Sequence, residues 1–398
     1  MIYKIGKEQL FYASTCLLST KDIFMFDKIQ FLLSIQIIGI CIFGGVTLLL
    51  RSGDNRAKKI LGWDMFLWAF LAIIRLSVNL FLRESKEAFH PDILLMGALV
   101  TATLACYVIE VLRPGYLTCR RFFLFISPVA FCGLAYLAYR LSGGEIHTYY
   151  SIGEIFDSFN MDVLIRMIVF LLTLFYMVFP VFLIVRYNKG YQIFLAENVA
   201  DPEEYDLEWL KKTMLILIIL YGFYLVLLLT HTPLMYAIDK AVLLVVWYYF
   251  FYKALFLKTV VWEHSFENGW ELPYLEEEEE TDDDAHQMLA KRYAEEVHAW
   301  FEREKPYLRE DLRLTDLQRV FPISRSYLSQ LFNRELGQSF SDYVNRFRIE
   351  ESKRLIEAEP DVSIQEIAER SGFHSMSTFR RAFQKYTGMI PSEYKHSK

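Results

Sequence analysis

Two stretches near the C-terminus repeat one pattern of residue types at an offset of 51 residues. The first stretch runs from Ser324 to Gly337 and the second from Ser375 to Gly388. A repeat of this kind indicates a repeated physical unit, and each copy has the periodicity of a short amphipathic helix. The apolar faces carry Leu328, Leu331 and Phe332 in the first copy, and Phe379, Ala382 and Phe383 in the second.

The opposite faces are rich in hydrogen-bond donors. Positions three and four apart share a helix face, so these side chains project together. They are Arg325, Ser326, Ser329, Gln330 and Asn333 in the first copy, and Arg380, Arg381, Gln384 and Lys385 in the second. Such faces suit phosphates and base edges, so the pattern predicts that this end of the chain binds double-stranded DNA. The alternative is an ordinary solvated helix surface.

The second copy and its flanks resemble the AraC/XylS family of bacterial transcription regulators. The resemblance rests on Ile364 and Ile367-Ala368 of a supporting helix, Gly372-Phe373 in the turn, Phe379 and Phe383, and Gly388-Met-Ile-Pro391 followed by Tyr394. It covers roughly residues 287–398 and implies two helix-turn-helix motifs joined by a long helix within Leu336–Glu357. The first motif departs from the pattern at Gln318 and Pro322, which puts the geometry of its turn in question.

The resemblance also implies roles for individual side chains. The positions that commonly approach bases in the family are Ser326, Ser329, Gln330, Met376, Ser377 and Arg381. Arg381 is the strongest candidate, because arginine bonded to guanine is the commonest specific contact. Contacts to phosphate are expected from Arg325, Arg334, Arg380 and Lys385.

The remaining two-thirds of the chain has the composition of a membrane domain. Of all residues, 54% are hydrophobic, above the range of soluble proteins. Seven apolar runs approach the roughly 20 residues that cross a bilayer. They are Ile29–Leu50, Leu61–Leu82, Ile93–Leu112, Phe122–Tyr139, Val163–Val185, Met214–Leu229 and Ile238–Leu257.

The distribution of basic residues predicts the orientation of these spans. A DNA-binding C-terminus has to be cytoplasmic, and seven spans then place the N-terminus outside. With this orientation the inside loops carry 11 Lys and Arg residues, and the outside carries 4, namely Arg83, Lys86 and Arg140 in loops and Lys240 at the start of the seventh run, which agrees with the positive-inside rule. We therefore expect a multi-pass protein of the bacterial inner membrane. Whether translation starts at Met1 or at Met25 stays open.

The sequence predicts an all-α chain in four parts: an N-terminal segment at 1–28, a seven-span domain at 29–257, an acidic linker at 258–286 and the DNA-binding domain at 287–398. Between Glu263 and Ala285 there are 11 acidic residues and no Lys or Arg. Such a run is typical of a solvated tether, and the alternative is a strand that competes with DNA for the basic face.

Charged residues within the spans mark a candidate polar site. Asp64 and Arg75 lie three helical turns apart, and Glu110 lies near the end of the third span. Since buried charges in a membrane are costly, these residues either pair internally or line a pocket for a ligand or membrane partner.

The leading interpretation is a membrane-embedded transcription regulator whose spans sense a signal. The alternative is a transporter or membrane enzyme with an autoregulatory DNA-binding tail. We expect no catalytic constellation, metal site or cofactor, since the five cysteines show no ligand spacing and no nucleotide-binding or nucleophile motif occurs. Expected partners are DNA, the lipid bilayer, an unknown ligand or membrane protein, a second copy in a homodimer and, for an activator, RNA polymerase.

Overall fold

The computed structural model describes residues 20–53, 55–82, 90–145, 147, 149, 155, 160–230, 233–257 and 284–397. These residues form fourteen α-helices, and the only extended pairing among them is an antiparallel bridge between Val199 and Arg313. The prediction of an all-α chain is therefore confirmed. The chain divides into two compact units, Met1–Arg186 with Leu207–Phe266, and Tyr187–Asp206 with Glu267–Lys398.

The helices of the N-terminal part are long and apolar. They are α1 Thr20–Leu50, α2 Arg56–Leu82, α3 Pro91–Leu112, α4 Cys119–Leu141, α5 Met161–Asn198, α6 Glu208–Thr230 and α7 Pro233–Leu255. Within the described residues, six helical stretches are long and apolar enough to cross a membrane: Lys28–Leu50, Arg56–Val78, Pro91–Leu112, Cys119–Leu141, Met161–Asn198 and Leu234–Leu255. The sixth predicted span lies on α6, whose side chains from 224 onward are outside the described part of the chain.

The first unit packs around α3, which is the most buried of the six apolar helices. Helix α1 packs against α2 and α7, and α2 packs against α3. A methyl group on Gly45 would lie only 3.0 Å from the Gly62 carbonyl oxygen, so small residues bring α1 and α2 close together. By contrast, α4 exposes large apolar side chains such as Leu124, Phe131 and Leu134, as a lipid-facing helix does.

Besides the end of α5, the described residues of the second unit form seven α-helices. They are α8 Asp284–Glu304, α9 Leu314–Leu317, α10 Arg325–Gln330, α11 Phe340–Ala358, α12 Ile364–Arg370, α13 Met376–Thr387 and α14 Pro391–Ser397. Two apolar clusters hold them. One joins Val297 and Phe301 of α8 to α9, α10 and the start of α11, and the other joins Ile349 of α11 to α12 and α13. Helix α11 thus contributes to both clusters and fixes the two helix pairs in one unit.

Several segments for which the sequence makes predictions lie outside the described residues. They include the acidic run of the linker over 258–283, positions 1–19 of the N-terminal segment and most of the loop between Arg140 and Asp162.

Candidate nucleic-acid interface

Helix α10 begins at a side-chain cap. The hydroxyl oxygen of Ser324 accepts a hydrogen bond from the Tyr327 amide at 3.1 Å, which satisfies one of the free donors at a helix start. A π-helical turn, Leu331–Glu335, continues the helix. Leu328, Leu331 and Phe332 are buried, as the periodicity predicts. The side chains of Ser326, Asn333 and Arg334 are exposed on the other side.

Helix α13 begins in the same way. Ser375 caps it by accepting a hydrogen bond from the Thr378 amide at 3.2 Å, and Gly388 ends it in the left-handed conformation. Phe379, Ala382 and Phe383 are buried in the second cluster. The predicted side chains Ser377, Arg380 and Arg381 are exposed, whereas Met376 is partly buried against the second cluster.

Gly372 makes the turn between α12 and α13. Its φ angle is +86°, a conformation that other residues adopt at a cost. A Cβ atom at this position would also lie 2.9 Å from Leu308 Cα. The turn therefore requires glycine for both backbone conformation and close packing.

The corresponding connection before α10 has a different construction. The Phe321 amide donates to the Leu317 carbonyl at 2.8 Å, and the Gln318 side-chain amide donates to the Ile323 carbonyl at 3.4 Å. Gln318 and Pro322, the two residues that depart from the family pattern, thus lie in a turn that is closed by local hydrogen bonds. Helix α9 is only four residues long.

Buried Arg348 ties the long helix α11 to the segment before α9. Its guanidinium donates to the carbonyl oxygens of Tyr307 at 2.8 Å and Arg309 at 2.7 Å. Asp201 lies 4.0 Å from the same guanidinium. Because a buried charge is costly without partners, these contacts hold α11 at one position relative to that segment.

The donor face of α10 is in contact with the last residues of α5, where the chain that leads to α6 begins. The Ser329 hydroxyl donates to Glu197 Oε2 at 2.9 Å. Arg325 Nε donates to Asn198 Oδ1 at 2.7 Å, and its guanidinium lies 4.9 Å from the centre of the Phe194 ring. The sequence predicts that these α10 residues share one face but gives no indication of their partners.

The donor face of α13 contacts the same connecting chain. Glu203 forms an ion pair with Arg381 and accepts a hydrogen bond from the Thr378 hydroxyl at 2.7 Å. Arg381 is 66% exposed despite this contact. The acidic residues at 197 and 203 are therefore the missed partners, and the only signal for them in the sequence is a short acidic run after Lys189.

Lys385 lies at the edge of this face. Its ammonium group is 2.5 Å from Asp342 Oδ1, and the Tyr386 hydroxyl donates to the Asp342 carbonyl oxygen at 2.9 Å. Burial, reinforced by the charge of Asp342, raises the pKa of Tyr386 above its ordinary value. The phenol therefore remains protonated and links α13 to the start of α11.

The three candidate intramembrane residues have different surroundings. Asp64 is buried and accepts a hydrogen bond from the Thr103 hydroxyl. Glu110 instead accepts from the amides of Gly115 at 2.7 Å and Leu117 at 3.3 Å, and lies 3.4 Å from Arg56. Glu110 thus orders the turn after α3, while Arg75 is half-buried on α2.

A buried ion pair that the sequence analysis did not predict lies at the start of α5. The guanidinium of Arg166 is 2.8 Å from Asp162 Oδ2 and donates to the His147 carbonyl at 2.7 Å. It also lies 5.1 Å from the centre of the Tyr149 ring. Within the described residues, no group of His, Cys, Asp and Glu side chains has the arrangement of a metal site.

Comparison with known proteins agrees with the geometry of the C-terminal region. Residues 317–397 match the family model described as a helix-turn-helix domain. An uncharacterized transcriptional regulatory protein of Bacillus subtilis, YesN, is 44% identical over 70 residues, which are 17% of this chain and 19% of the relative.

Two further relatives align over similar lengths. The Msm operon regulatory protein of Streptococcus mutans is 34% identical over 84 residues, which are 21% of this chain and 30% of that protein. The uncharacterized HTH-type transcriptional regulator YfiF of Bacillus subtilis is 41% identical over 98 residues, which are 24% and 31% of the two chains. The chain thus spans between about a fifth and a third of the length of these relatives.

The family match, the helix geometry and the signature residues from Ile364 to Tyr394 all concern the same stretch of chain. The C-terminal part of this protein is an AraC-type helix-turn-helix domain.

Proposed function

We propose that the protein is a membrane-embedded transcription regulator that binds specific DNA sequences through two helix-turn-helix motifs. The observation that carries this proposal is the matched pair of helices α10 and α13. Each has a serine cap 51 residues from the other, a buried apolar side and a donor-rich outer side. Helix α11 joins the two pairs, and it is this arrangement that would present two recognition helices to successive major grooves.

The assignment of roles follows the outer faces of the two helices. Ser326, Ser329 and Gln330 of α10 would approach bases, together with Met376, Ser377 and Arg381 of α13. Arg325, Arg334, Arg380 and Lys385 would contact phosphates, where a positive charge gives affinity without reading sequence. The names of the relatives, which describe regulatory proteins, support the same function.

The N-terminal helices would embed the protein in the inner membrane and sense the signal. With α6 as a seventh span, the N-terminus lies outside and the C-terminal domain lies in the cytoplasm. The excess of Lys and Arg in the inside loops supports this orientation. The contact between buried Asp64 and Thr103 supports a polar site between α2 and α3 that a signal could address.

The direct test is DNA binding by a C-terminal fragment that starts at His286. We expect enrichment of a sequence from a random duplex library, and an affinity that falls steeply with salt because bound phosphates release counterions. A variant with Gln330→Ala and Arg381→Ala should lose the enriched sequence.

Arg292→Ala provides the matched control. Arg292 is 74% exposed on α8, outside both proposed recognition helices, and pairs with Glu296. The control should bind as the unmodified fragment does. If the fragment enriches no sequence, or if its affinity does not depend on salt, the proposed function is wrong.

A further inference from the structure

The connecting chain Tyr187–Asp206, which we call the bridging segment, belongs to the same compact unit as the helix-turn-helix domain. It contains five carboxylates and a single lysine. Its residues 187–198 are the end of α5, which also carries an apolar run long enough for a membrane span, and its remaining residues lead to α6. The segment is therefore an acidic strip of chain against a domain whose outer faces are donor-rich.

The bridging segment is anchored in the domain rather than laid loosely on it. Buried Ala200 is part of the first apolar cluster, and its amide donates to the Leu312 carbonyl at 3.1 Å. The Ser341 hydroxyl donates to the Ala200 carbonyl at 3.0 Å. The bridge between Val199 and Arg313 continues this pairing. These contacts position the acidic side chains on either side of Ala200.

From that anchor, two carboxylates reach the two recognition helices. Glu197 accepts a hydrogen bond from the Ser329 hydroxyl on α10. Glu203 accepts a hydrogen bond from the Thr378 hydroxyl and forms an ion pair with Arg381, both on α13. Asn198 holds Arg325 at the start of α10. Ser329 and Arg381 are proposed base-reading residues and Arg325 a proposed phosphate contact, so the segment uses donors that DNA would need.

Carboxylate and phosphate oxygens accept the same charge-assisted hydrogen bonds. A donor that is bonded to Glu197 or Glu203 cannot bond a phosphate or base edge at the same time. The negative charge of the segment would also repel the DNA backbone. Bound segment and bound DNA are therefore competing states of the same surface.

We propose that the bridging segment is a built-in competitor of DNA and that this structure is the closed, DNA-excluding state of the protein. This inference rests on the proposed function and adds its regulation. DNA binding requires Glu197 and Glu203 to leave the recognition helices. A signal in the membrane reaches DNA by shifting this equilibrium, since the segment includes the end of α5.

The first test compares full-length protein with a Glu197→Ala, Glu203→Ala double variant, both in lipid nanodiscs. The probe is a fluorescent duplex enriched from a random-sequence library by the double variant. Apparent affinity scales with the fraction of protein in the competent state, so the variant should bind at least about tenfold more tightly.

The matched control is an Asp206→Ala, Glu208→Ala double variant, which removes the same charge next to the contacts described. It should bind the duplex with the affinity of the wild-type protein. An equal gain in affinity in the control would mean that overall charge alone causes the effect, and this would overturn the inference. Equal binding by the wild type and the Glu197/Glu203 variant would also overturn it, while leaving the proposed function intact. If neither protein enriches or binds any duplex, the proposed function fails and the inference with it.

A second measurement does not depend on a substitution. Hydrogen exchange of wild-type protein, with and without saturating duplex, reports on the amide of Ala200 and its neighbours. Release of the segment predicts faster exchange over residues 199–206 when DNA is bound. Unchanged or slower exchange with DNA bound would show that the segment stays in place, which overturns the inference whatever the variants do.

Discussion

Arg381 and Arg325 occupy different places on their helices and have different proposed roles. Arg381 is on the outer face of α13 and pairs with Glu203. Arg325 is at the first turn of α10, half-buried against Phe194 and bonded to Asn198. Because both contacts involve the bridging segment, a substitution changes the closed state as well as the DNA complex. The two effects have to be separated by design.

In the Glu197→Ala, Glu203→Ala background, Arg381→Ala should cost about 1–3 kcal/mol on the enriched duplex and little on scrambled DNA. The reason is that a base contact is lost with the side chain. Titrations on both duplexes provide the measurement. An equal loss of affinity for both duplexes would mean that Arg381 does not read bases.

Arg325→Ala in the same background should weaken binding to both duplexes about equally. It should also lower the slope of log affinity against log salt by about one unit, because one phosphate contact is lost. Titrations at several salt concentrations measure the slope. A loss confined to the enriched duplex would instead assign Arg325 to base reading.

At the scale of elements, the turn between α12 and α13 depends on Gly372. Gly372→Ala should destabilise the domain by at least about 1 kcal/mol from the left-handed backbone alone, with a further cost from the contact with Leu308. Gly337→Ala is the matched control, since Gly337 has a φ of +66° but no atom within 4 Å of an added Cβ. Urea unfolding of the C-terminal fragment measures the free energy of unfolding of both variants. An equal loss of stability in the two variants would mean that the close packing at Gly372 contributes nothing.

Local features of these elements could be predicted from sequence. The caps Ser324 and Ser375, the turn at Gly372 and the buried faces of Phe379 and Phe383 each follow from residues within a few positions of one another. Their physical causes are local too: a capped amide, a left-handed φ and a helical period. The structure has the turn and the buried faces as the sequence predicts, and it adds the two serine caps.

The contacts of the bridging segment could not be predicted in this way. Glu197 and Ser329 are 132 residues apart in the chain, and no period or motif connects them. The sequence suggests a competitor of DNA only as the alternative to a solvated tether in the longer acidic run between Glu263 and Ala285, of which 263–283 lie outside the described residues. The residue that anchors the bridging segment is Ala200, which is buried in the first apolar cluster. Its neighbours in the sequence form no pattern that would predict this burial.

At the scale of the whole molecule, the proposed orientation can be tested by reporter fusions. A reporter after Lys398 should have cytoplasmic activity, and one inserted between Arg140 and Asp162 should have activity outside the membrane. The physical reason is the excess of basic residues in the inside loops. Activity measured for both fusions in the same membrane system checks the orientation. A C-terminus outside the cytoplasm would contradict both the span count and the function.

The length of α5 fits this orientation. Its 38 residues make a helix of about 57 Å, which is nearly twice the roughly 30 Å of a bilayer core. The apolar run predicted as a span ends at Val185, and Glu197 and Asn198 follow on the same helix after Arg186 and Lys189. In the proposed topology these contact residues lie in the same compartment as the DNA-binding domain.

The bridging segment and DNA compete for Ser329 and Arg381, and this competition has a thermodynamic consequence for signal binding at the membrane. Two ligands that act on one equilibrium change each other's affinity by the same factor. A signal molecule that frees the recognition helices should therefore bind more tightly when the operator is present, and by as much as it strengthens DNA binding. The promoter would then be an effector of the receptor, and occupied operators would sensitise the protein to its own signal.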